Sequence, residues 1–382
     1  MANSKKIIFT GGGTAGHVTP NLALIALCKK AGWEISYIGS KNGVECQLTK
    51  NIAVKYYAIF TGKLRRYFSW ENFLDFFKII FGICQAFFLC RKIKPQVIFS
   101  KGGFVAFPVV VGAWLNRTPI ISHESDITPG LANKLIYPFA TKLCVTFEET
   151  KKYFKQSEKI VVTGTPIRES LLSGDANKGR AICGFTPSKK IILVFGGSLG
   201  AEKINQTIRK LLPNILTEFQ VAHVCGAGKI DLNCNHSGYK QFTYLDENFG
   251  DVLAAADLVI SRAGANTIYE LLALRKPNIL IPLGTASSRG DQISNANYAA
   301  THGFSQVILE TELTAAVLLQ KINWVTQNLS TIAATLAQFK LADNNIIFNL
   351  ISQCALIPAR PCSSRGLQPN GANLSASTKK LR

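Results

Sequence analysis

The sequence predicts an α/β protein built from two doubly wound domains. Three observations carry this. Apolar strands alternate with helical stretches along the chain, the pattern of a parallel sheet covered on both faces. A glycine-rich turn between a strand and a helix occurs twice, at Gly11–Gly16 and at Gly196–Ala201. The strand–helix alternation restarts after residue 190, behind a segment that carries Gly164 and Pro166.

Taken in order, KKIIF is the first strand, residues 11–16 its glycine loop, and NLALIALCKKAG the first helix. Strands follow at EISYIG (34–39), VIFS (97–100), PIIS (119–122) and KLCVTF (142–147), with helices between them. VVTGTPIRESLL (161–172) is the expected hinge, stiffened by Pro166 and given conformational freedom by Gly164. KKIILVF (189–195) opens the second unit, followed by GGSLGA and the helix EKINQTIRKLLPNIL. QVAHVCG, QFTYL, DLVIS and PNILIPL are its further strands. The expected division is 1–162 and 163–330 as the two domains, a helix within 331–357 that returns to the first domain, and 358–382 as a disordered tail. That tail holds five basic and no acidic residues and has little to bury.

Composition narrows the classes. The 382 residues include 43 Lys and Arg against 23 Asp and Glu, a net charge of +20, and 47% are hydrophobic. Intrinsic disorder, coiled coil and collagen are thereby excluded. The ten Cys are scattered with no C-x-x-C pair, which suits reduced thiols and not a zinc ribbon. Lys5 and Lys6 precede only Ile7–Phe9 before glycines begin, so no signal peptide is expected. Phe104–Leu115 is short, and Asp75, Lys78 and Gln85 interrupt Phe73–Cys90, so neither is expected to span a membrane. The positive charge points to nucleic acid, an anionic membrane surface or an anionic substrate.

GGGTAG satisfies G-x-G-x-x-G between strand and helix, which suits either a pyrophosphate cradle or a tight turn. A dinucleotide site also needs an acid closing the second strand; here Gly39-Ser40 ends it and Glu45 comes too late. His17 follows the loop, where open α/β folds bind ligands, and an unperturbed pKa near ~6.5 suits a general base. In the second loop, Ser198 and the helix-start amides suit phosphate oxygens. In SRAGANTIYELLA (261–273), Asn266 or Thr267 is expected to cap the helix. Glu270 there suits either the helix dipole or a pair of ribose hydroxyls.

The segment 63–94 is unusually aromatic. On a helical wheel, Phe73, Phe76, Phe77, Ile80, Cys84 and Phe87 form the expected core face. Trp70, Leu74, Phe81 and Phe88 lie along its edge, flanked by Lys63, Arg65, Arg66, Arg91, Lys92 and Lys94. Excess apolar edge with flanking cations is what interfacial membrane binding requires, and Trp114, Leu115 and Arg117 join that surface.

GGGTAGHVTP, SKGGFVAFPVVVGA, HES at 123–125, TGTPIR, FGGSLGA, SRAGANTIYELLA and RGDQISNA occur in this order. Over about residues 5–350 the chain resembles the N-acetylglucosaminyltransferases of peptidoglycan synthesis. The resemblance implies a GT-B architecture, two Rossmann-like domains facing a cleft. It implies transfer of GlcNAc from UDP-GlcNAc to the undecaprenyl-linked muramyl-pentapeptide lipid I, with inversion; no D-x-D pair that would hold a divalent cation on a diphosphate occurs, so neither metal nor cofactor is expected. By motif, Arg168 and Ser198 would contact the diphosphate and Leu245 the uracil. Ala265, Asn266, Thr267, Ile268, Tyr269 and Glu270 would line the donor site, with Glu270 on the ribose and Gln292 on the sugar hydroxyls. Thr14, Ala15, Gly16 and His17 would shape the acceptor side. His17 is the first choice of base and Glu124 the second. Asp126 stands where the family often has an amide near the sugar, and Asp291-Gln292 where it often has two Gln. Implied partners are UDP-GlcNAc, lipid I, an anionic membrane surface and other cell-wall synthesis proteins, with no nucleic acid. The implied location is peripheral, at the cytoplasmic face of the bacterial cell membrane.

Rival readings are a glycolipid synthase with a diacylglycerol acceptor, an NAD-dependent dehydrogenase and a basic nucleic-acid-binding protein. The missing strand-end acid counts against the second. The lack of an RNP or helix-turn-helix signature counts against the third.

Overall fold

The computed structural model describes residues 4–62, 70–197, 201–285 and 288–357. Ser198, the side chain of Trp70, the cations Lys63, Arg65 and Arg66, and the tail 358–382 lie outside the described residues.

Seven parallel strands form the first sheet: β1 (Lys6–Thr10), β2 (Glu34–Ser40), β3 (Lys55–Ile59), β4 (Val97–Ser100), β5 (Ile120–Glu124), β6 (Lys142–Val145) and β7 (Ile160–Val162). Their order is β3-β2-β1-β4-β5-β6-β7. Six more form the second: β8 (Lys190–Phe195), β9 (Phe219–Val224), β10 (Tyr239–Phe242), β11 (Leu258–Ser261), β12 (Asn278–Leu280) and β13 (Gln306–Val307). Their order, β10-β9-β8-β11-β12-β13, repeats the same winding. β3, β7 and β13 were not expected from the sequence. β7 and β13 are short, and β3 (KYYAI) mixes exposed and half-buried positions, so none carries a strong apolar run.

Period-two alternation explains the unbroken apolar strands of the first sheet. Ile7, Phe9, Phe99 and Ile121 face one core, with Leu24, Cys28, Ile347 and Ile351 packed over them. Ile8, Ile98 and Ile120 face the other, beneath Cys90, Ile93, Val109 and Val110. Both faces are buried, so no polar alternation is visible. The return to the first domain takes two helices and not one. Leu329–Ala337 places Ile332 and Leu336 in the second-domain core, and Asn344–Cys354 places Ile347 and Ile351 in the first.

The aromatic segment corrects two expectations. Trp70–Ile93 is one 24-residue helix, and Phe73–Ile93, with mean hydropathy 1.9, is long and apolar enough by composition to cross a membrane. It nevertheless packs along the helix Ala106–Leu115. Its buried face is Asp75, Ile79, Gly82, Ala86, Cys90 and Ile93. The predicted core face is instead largely outward: Phe73, Phe76, Phe77, Ile80 and Cys84 are exposed and Phe87 is half-buried. The reason is close approach. A Cβ on Gly82 would lie 2.2 Å from the Phe60 carbonyl oxygen, and one on Gly112 would lie 2.8 Å from the Ala86 Cβ. Only small residues fit that seam.

Candidate functional site

Each sheet has a switch point where the winding reverses, between β1 and β4 and between β8 and β11. Ligands of open α/β sheets bind outside the carboxyl ends of strands at such points. Loops follow these four strands: Gly11–Gly16 after β1, Lys101–Phe104 after β4, Gly196–Gly197 after β8 and Arg262–Gly264 after β11. Positive φ values at Gly13 (87°), Gly102 (85°), Gly103 (81°) and Gly197 (90°) explain the glycines there.

Residues of both domains line one cavity of about 630 Å³. The first domain gives Thr14, Gly16, His17, Lys101, Glu124 and Asp126. The second gives Ala265, Asn266, Thr267, Arg289, Asp291 and Gln292. Ala15 sits in the 3-10 turn Ala15–His17 that carries the imidazole. Thr14 Oγ1 lies 3.0 Å from His17 Nδ1. Burial, then the charges of Lys101 and Arg289, push the imidazole down to about 4, well below the ordinary value expected from sequence. The Lys101 ammonium, itself fully buried, is pushed down to about 8 by burial, against the pull of Glu124 and Asp126. It donates to Ser125 Oγ.

Glu124 is tied into the fold. One oxygen accepts from the Asp126 amide (3.0 Å), the other from the Gly130 amide (2.9 Å) and Asn133 Nδ2 (2.9 Å). Asp126 does not present a free carboxylate to a sugar. Its oxygens meet Asn295 Nδ2 at 3.0 Å and Arg289 at 3.2 Å, both from the second domain. Burial and the neighbouring Glu124 push its carboxyl up to about 6.

The helix Ala265–Ala273 starts at Gly264 with no side-chain cap, so neither Asn266 nor Thr267 takes the expected capping role. Its first amides are therefore left as donors at the cavity. Gln292 accepts from the Leu283 amide (3.0 Å) through Oε1, which leaves its amide nitrogen for a ligand. Arg168, Leu245 and Glu270 do not line the cavity; they gather beyond it. Arg168 lies 3.9 Å from Asp246, the neighbour of Leu245, and its buried Nε has no hydrogen-bond partner among the described residues. Burial raises the Glu270 carboxyl to about 7, with Arg168 opposing. Among the described residues it takes no hydrogen bond.

Two of the side chains expected at the donor site point away from the cavity. Ile268 is buried in the second-domain core. Tyr269 is turned into the hinge, where its hydroxyl accepts from the Ala342 amide at 3.0 Å. A Cβ on Gly164, which has φ 64°, would fall 1.8 Å from that hydroxyl. Both chain crossings between the domains thus touch Tyr269. The buried His123 also serves the hinge, donating through Nε2 to the Gly164 carbonyl at 2.8 Å.

Sequence reasoning missed Glu45. The short helix Val44–Thr49 swings it back under the first glycine loop, fully buried, where it accepts from the Gly13 amide (3.2 Å) and the Ser40 amide (2.9 Å). An acid two residues after Gly43, in the first turn of the helix, was the available signal. Its carboxylate occupies an amide that a dinucleotide pyrophosphate would need, which removes the dehydrogenase reading of this loop.

Comparison with known proteins agrees with this geometry. The glycosyltransferase family 28 N-terminal domain matches residues 7–145, and the family 28 C-terminal domain matches residues 191–348. A UDP-N-acetylglucosamine--N-acetylmuramyl-(pentapeptide) pyrophosphoryl-undecaprenol N-acetylglucosamine transferase of Legionella pneumophila (strain Paris) is 56% identical over 320 residues, 84% of this chain and 88% of the relative. One of the same name from Clostridium botulinum (strain Langeland) is 52% identical over 343 residues, 90% and 96% of the two chains. Among solved structures, Acinetobacter baumannii MurG superposes with a TM-score of 0.72 at 24% identity, covering 91% of this chain and 99% of that one. The UDP-GlcNAc 2-epimerase of Neisseria meningitidis gives 0.65 at 12% identity, over 91% and 100%. At these identities the structural likeness establishes the fold.

Proposed function

The chain belongs to glycosyltransferase family 28, and from that premise we propose how its cleft divides the work of one transfer reaction. The reaction moves GlcNAc from UDP-GlcNAc to the 4-hydroxyl of MurNAc in undecaprenyl-pyrophosphoryl-MurNAc-pentapeptide (lipid I), giving lipid II. The second domain holds the donor. Helix-start amides at 265–267 and the Arg168 guanidinium face the diphosphate, Glu270 accepts from the ribose hydroxyls, and Leu245 lies beside the uracil. Gln292, with its nitrogen free, donates to a GlcNAc hydroxyl.

In the first domain, neutral His17 takes the proton of the attacking 4-hydroxyl. The new C–O bond forms as the anomeric carbon's bond to phosphate breaks, so configuration inverts in one displacement. UDP departs with its new charge among the helix amides and Arg168. Glu124 is set aside as base because its two oxygens already accept three hydrogen bonds. A single observation carries this reading: His17 of one domain and the uncapped helix start of the other line the same cavity. The test incubates the protein with radiolabelled UDP-GlcNAc and lipid I. Labelled lipid II is the expected product, and its absence overturns the assignment.

The outward aromatic surface supports peripheral attachment to the inner face of the cell membrane. Leu74, Phe81 (62% exposed), Phe88 (68%) and Trp114 are solvent-facing, beside exposed Arg91, Lys92 and Lys94. Attachment there brings the cleft to an acceptor whose lipid stays in the bilayer.

A further inference from the structure

We propose that Asn266 is a positioning residue for the acceptor-side loop: reaching from the donor domain, it fixes the turn that carries His17. The proposal rests on the transferase reading above and adds a role for a side chain that faces away from the donor.

Asn266 stands in the first turn of the helix Ala265–Ala273, whose amides face the donor. Its side chain does not cap that helix. It crosses to the other domain, where Nδ2 donates to the Gly16 carbonyl at 2.8 Å. Gly16 is the middle residue of the turn Ala15–His17. The Oδ1 atom accepts from Ser125 Oγ at 2.7 Å and from Thr165 Oγ1 at 3.0 Å. Ser125 in turn accepts from the buried Lys101 ammonium.

The direction of this chain is fixed at both ends. An ammonium only donates and a peptide carbonyl only accepts. Protons therefore point from Lys101 to Ser125, from Ser125 to Asn266, and from Asn266 to Gly16. The amide orientation follows from the network, since a flipped Asn266 would set oxygen against oxygen at Gly16. One residue of the donor domain thus joins three separate pieces of chain: the glycine loop, the segment after β5, and the hinge. Within the first domain, the Thr14 contact and a hydrogen bond to the Gly12 backbone hold the imidazole, and the turn's own backbone bonds hold its carrier. Asn266 adds a restraint on that carrier from across the cleft. Placing the base to a fraction of an ångström then depends on the domains being together.

The test uses Asn266→Asp, which keeps an acceptor for Ser125 and Thr165 but opposes a carboxylate oxygen to the Gly16 carbonyl. Asn266→Ala serves if the charge unfolds the protein, judged by circular dichroism. Thr165→Val is the control, since it removes one accepted bond and spares Gly16. The expected result for Asn266→Asp has three parts. kcat falls about 10²-fold, the scale of a small misplacement of a reacting group. UDP affinity by calorimetry, read in Asn266→Ala so that no carboxylate is set beside the diphosphate, stays at the wild-type value. Amide exchange over residues 15–18 quickens, while Thr165→Val leaves all three near wild type. Retained kcat overturns the proposal. So does lost UDP affinity in the uncharged Asn266→Ala, which would make the Asn266 side chain a donor ligand, and so does unchanged exchange in the loop. Exchange reads the contact whatever the substrate is. Wild-type inactivity on lipid I therefore strikes the functional reading, whereas unchanged exchange strikes this one.

Discussion

The His17 imidazole shares its cavity with two cations, and this sets its chemistry. Burial, Lys101 and Arg289 hold it down to about 4, so in the free enzyme it is neutral and ready to accept a proton throughout the physiological range. An acceptor pyrophosphate brings negative charge that offsets those cations and raises the pKa. The acid limb of kcat/KM for the acceptor, which at saturating donor reports the enzyme–donor complex, should therefore lie below the ordinary imidazole value of ~6.5. The limb of kcat, which reports the complex with both substrates, should lie higher. The measurement is made at saturating donor, so that Glu270 is masked, and in Asp126→Asn, so that the carboxyl near 6 does not contribute. His17→Ala should lower kcat about 10²–10⁴-fold with UDP affinity unchanged. A kcat/KM limb at 6.5 would show that neither burial nor the cations depress the imidazole, and near-normal turnover in His17→Ala would remove its role as base. The glycines and His17 were legible because unusual backbone angles and strand–helix turns leave a local signature. Glu45, Lys101 and the pairing of Asp126 with Arg289 were not. Each depends on contacts between segments far apart in sequence, which no local pattern records.

At the scale of elements, strands were legible and the aromatic helix was only half so. A hydrophobic wheel ranks faces by apolar content, which suits an isolated helix. Here the neighbour is close, and size decides. Ile79, Gly82, Ala86 and Cys90 enter the seam against Ala106–Leu115 because larger rings do not fit, so the phenylalanines are left outside. Ala86, with no exposed surface, is the sharpest probe. Ala86→Leu should destabilise the protein by about 1–3 kcal/mol through overpacking. Phe77→Ser and Phe81→Ser should leave thermal stability near wild type, since both rings already face solvent. Thermal unfolding followed by circular dichroism separates the two. Equal losses at Ala86 and Phe81 would return the aromatics to the core and refute the packing described. The hinge shows the same limit of sequence reading. Gly164 was legible as a flexible position, but its need for glycine comes from its φ of 64° together with the Tyr269 hydroxyl, which is far away in the sequence.

For the molecule as a whole, the outward helix, the cleft and the charge have to serve one lipid-linked acceptor. The apolar surface carries Phe73, Leu74, Phe76, Phe77, Phe81 and Phe88, with Trp114 near it and Arg91, Lys92 and Lys94 at the helix end. Each ring withdrawn from water contributes up to about 2 kcal/mol, and each near-surface cation adds about 1 kcal/mol on an anionic bilayer. Neither term alone holds a protein of this size firmly, but several of each do. The protein should therefore pellet with vesicles rich in phosphatidylglycerol, and release as salt rises, because screening shortens the field of the cations. Phe77→Ser combined with Phe81→Ser should cut vesicle binding at least about tenfold, the equivalent of ~1.4 kcal/mol, without altering lipid-free UDP affinity. A transmembrane insertion of the same helix predicts the opposite salt response. Its apolar contacts dominate, and high salt leaves the protein on the vesicles. If salt and both substitutions leave binding untouched while the protein remains folded, the lipid acceptor is met at another surface, and the exposed Trp114–Arg117 turn is the next place to substitute.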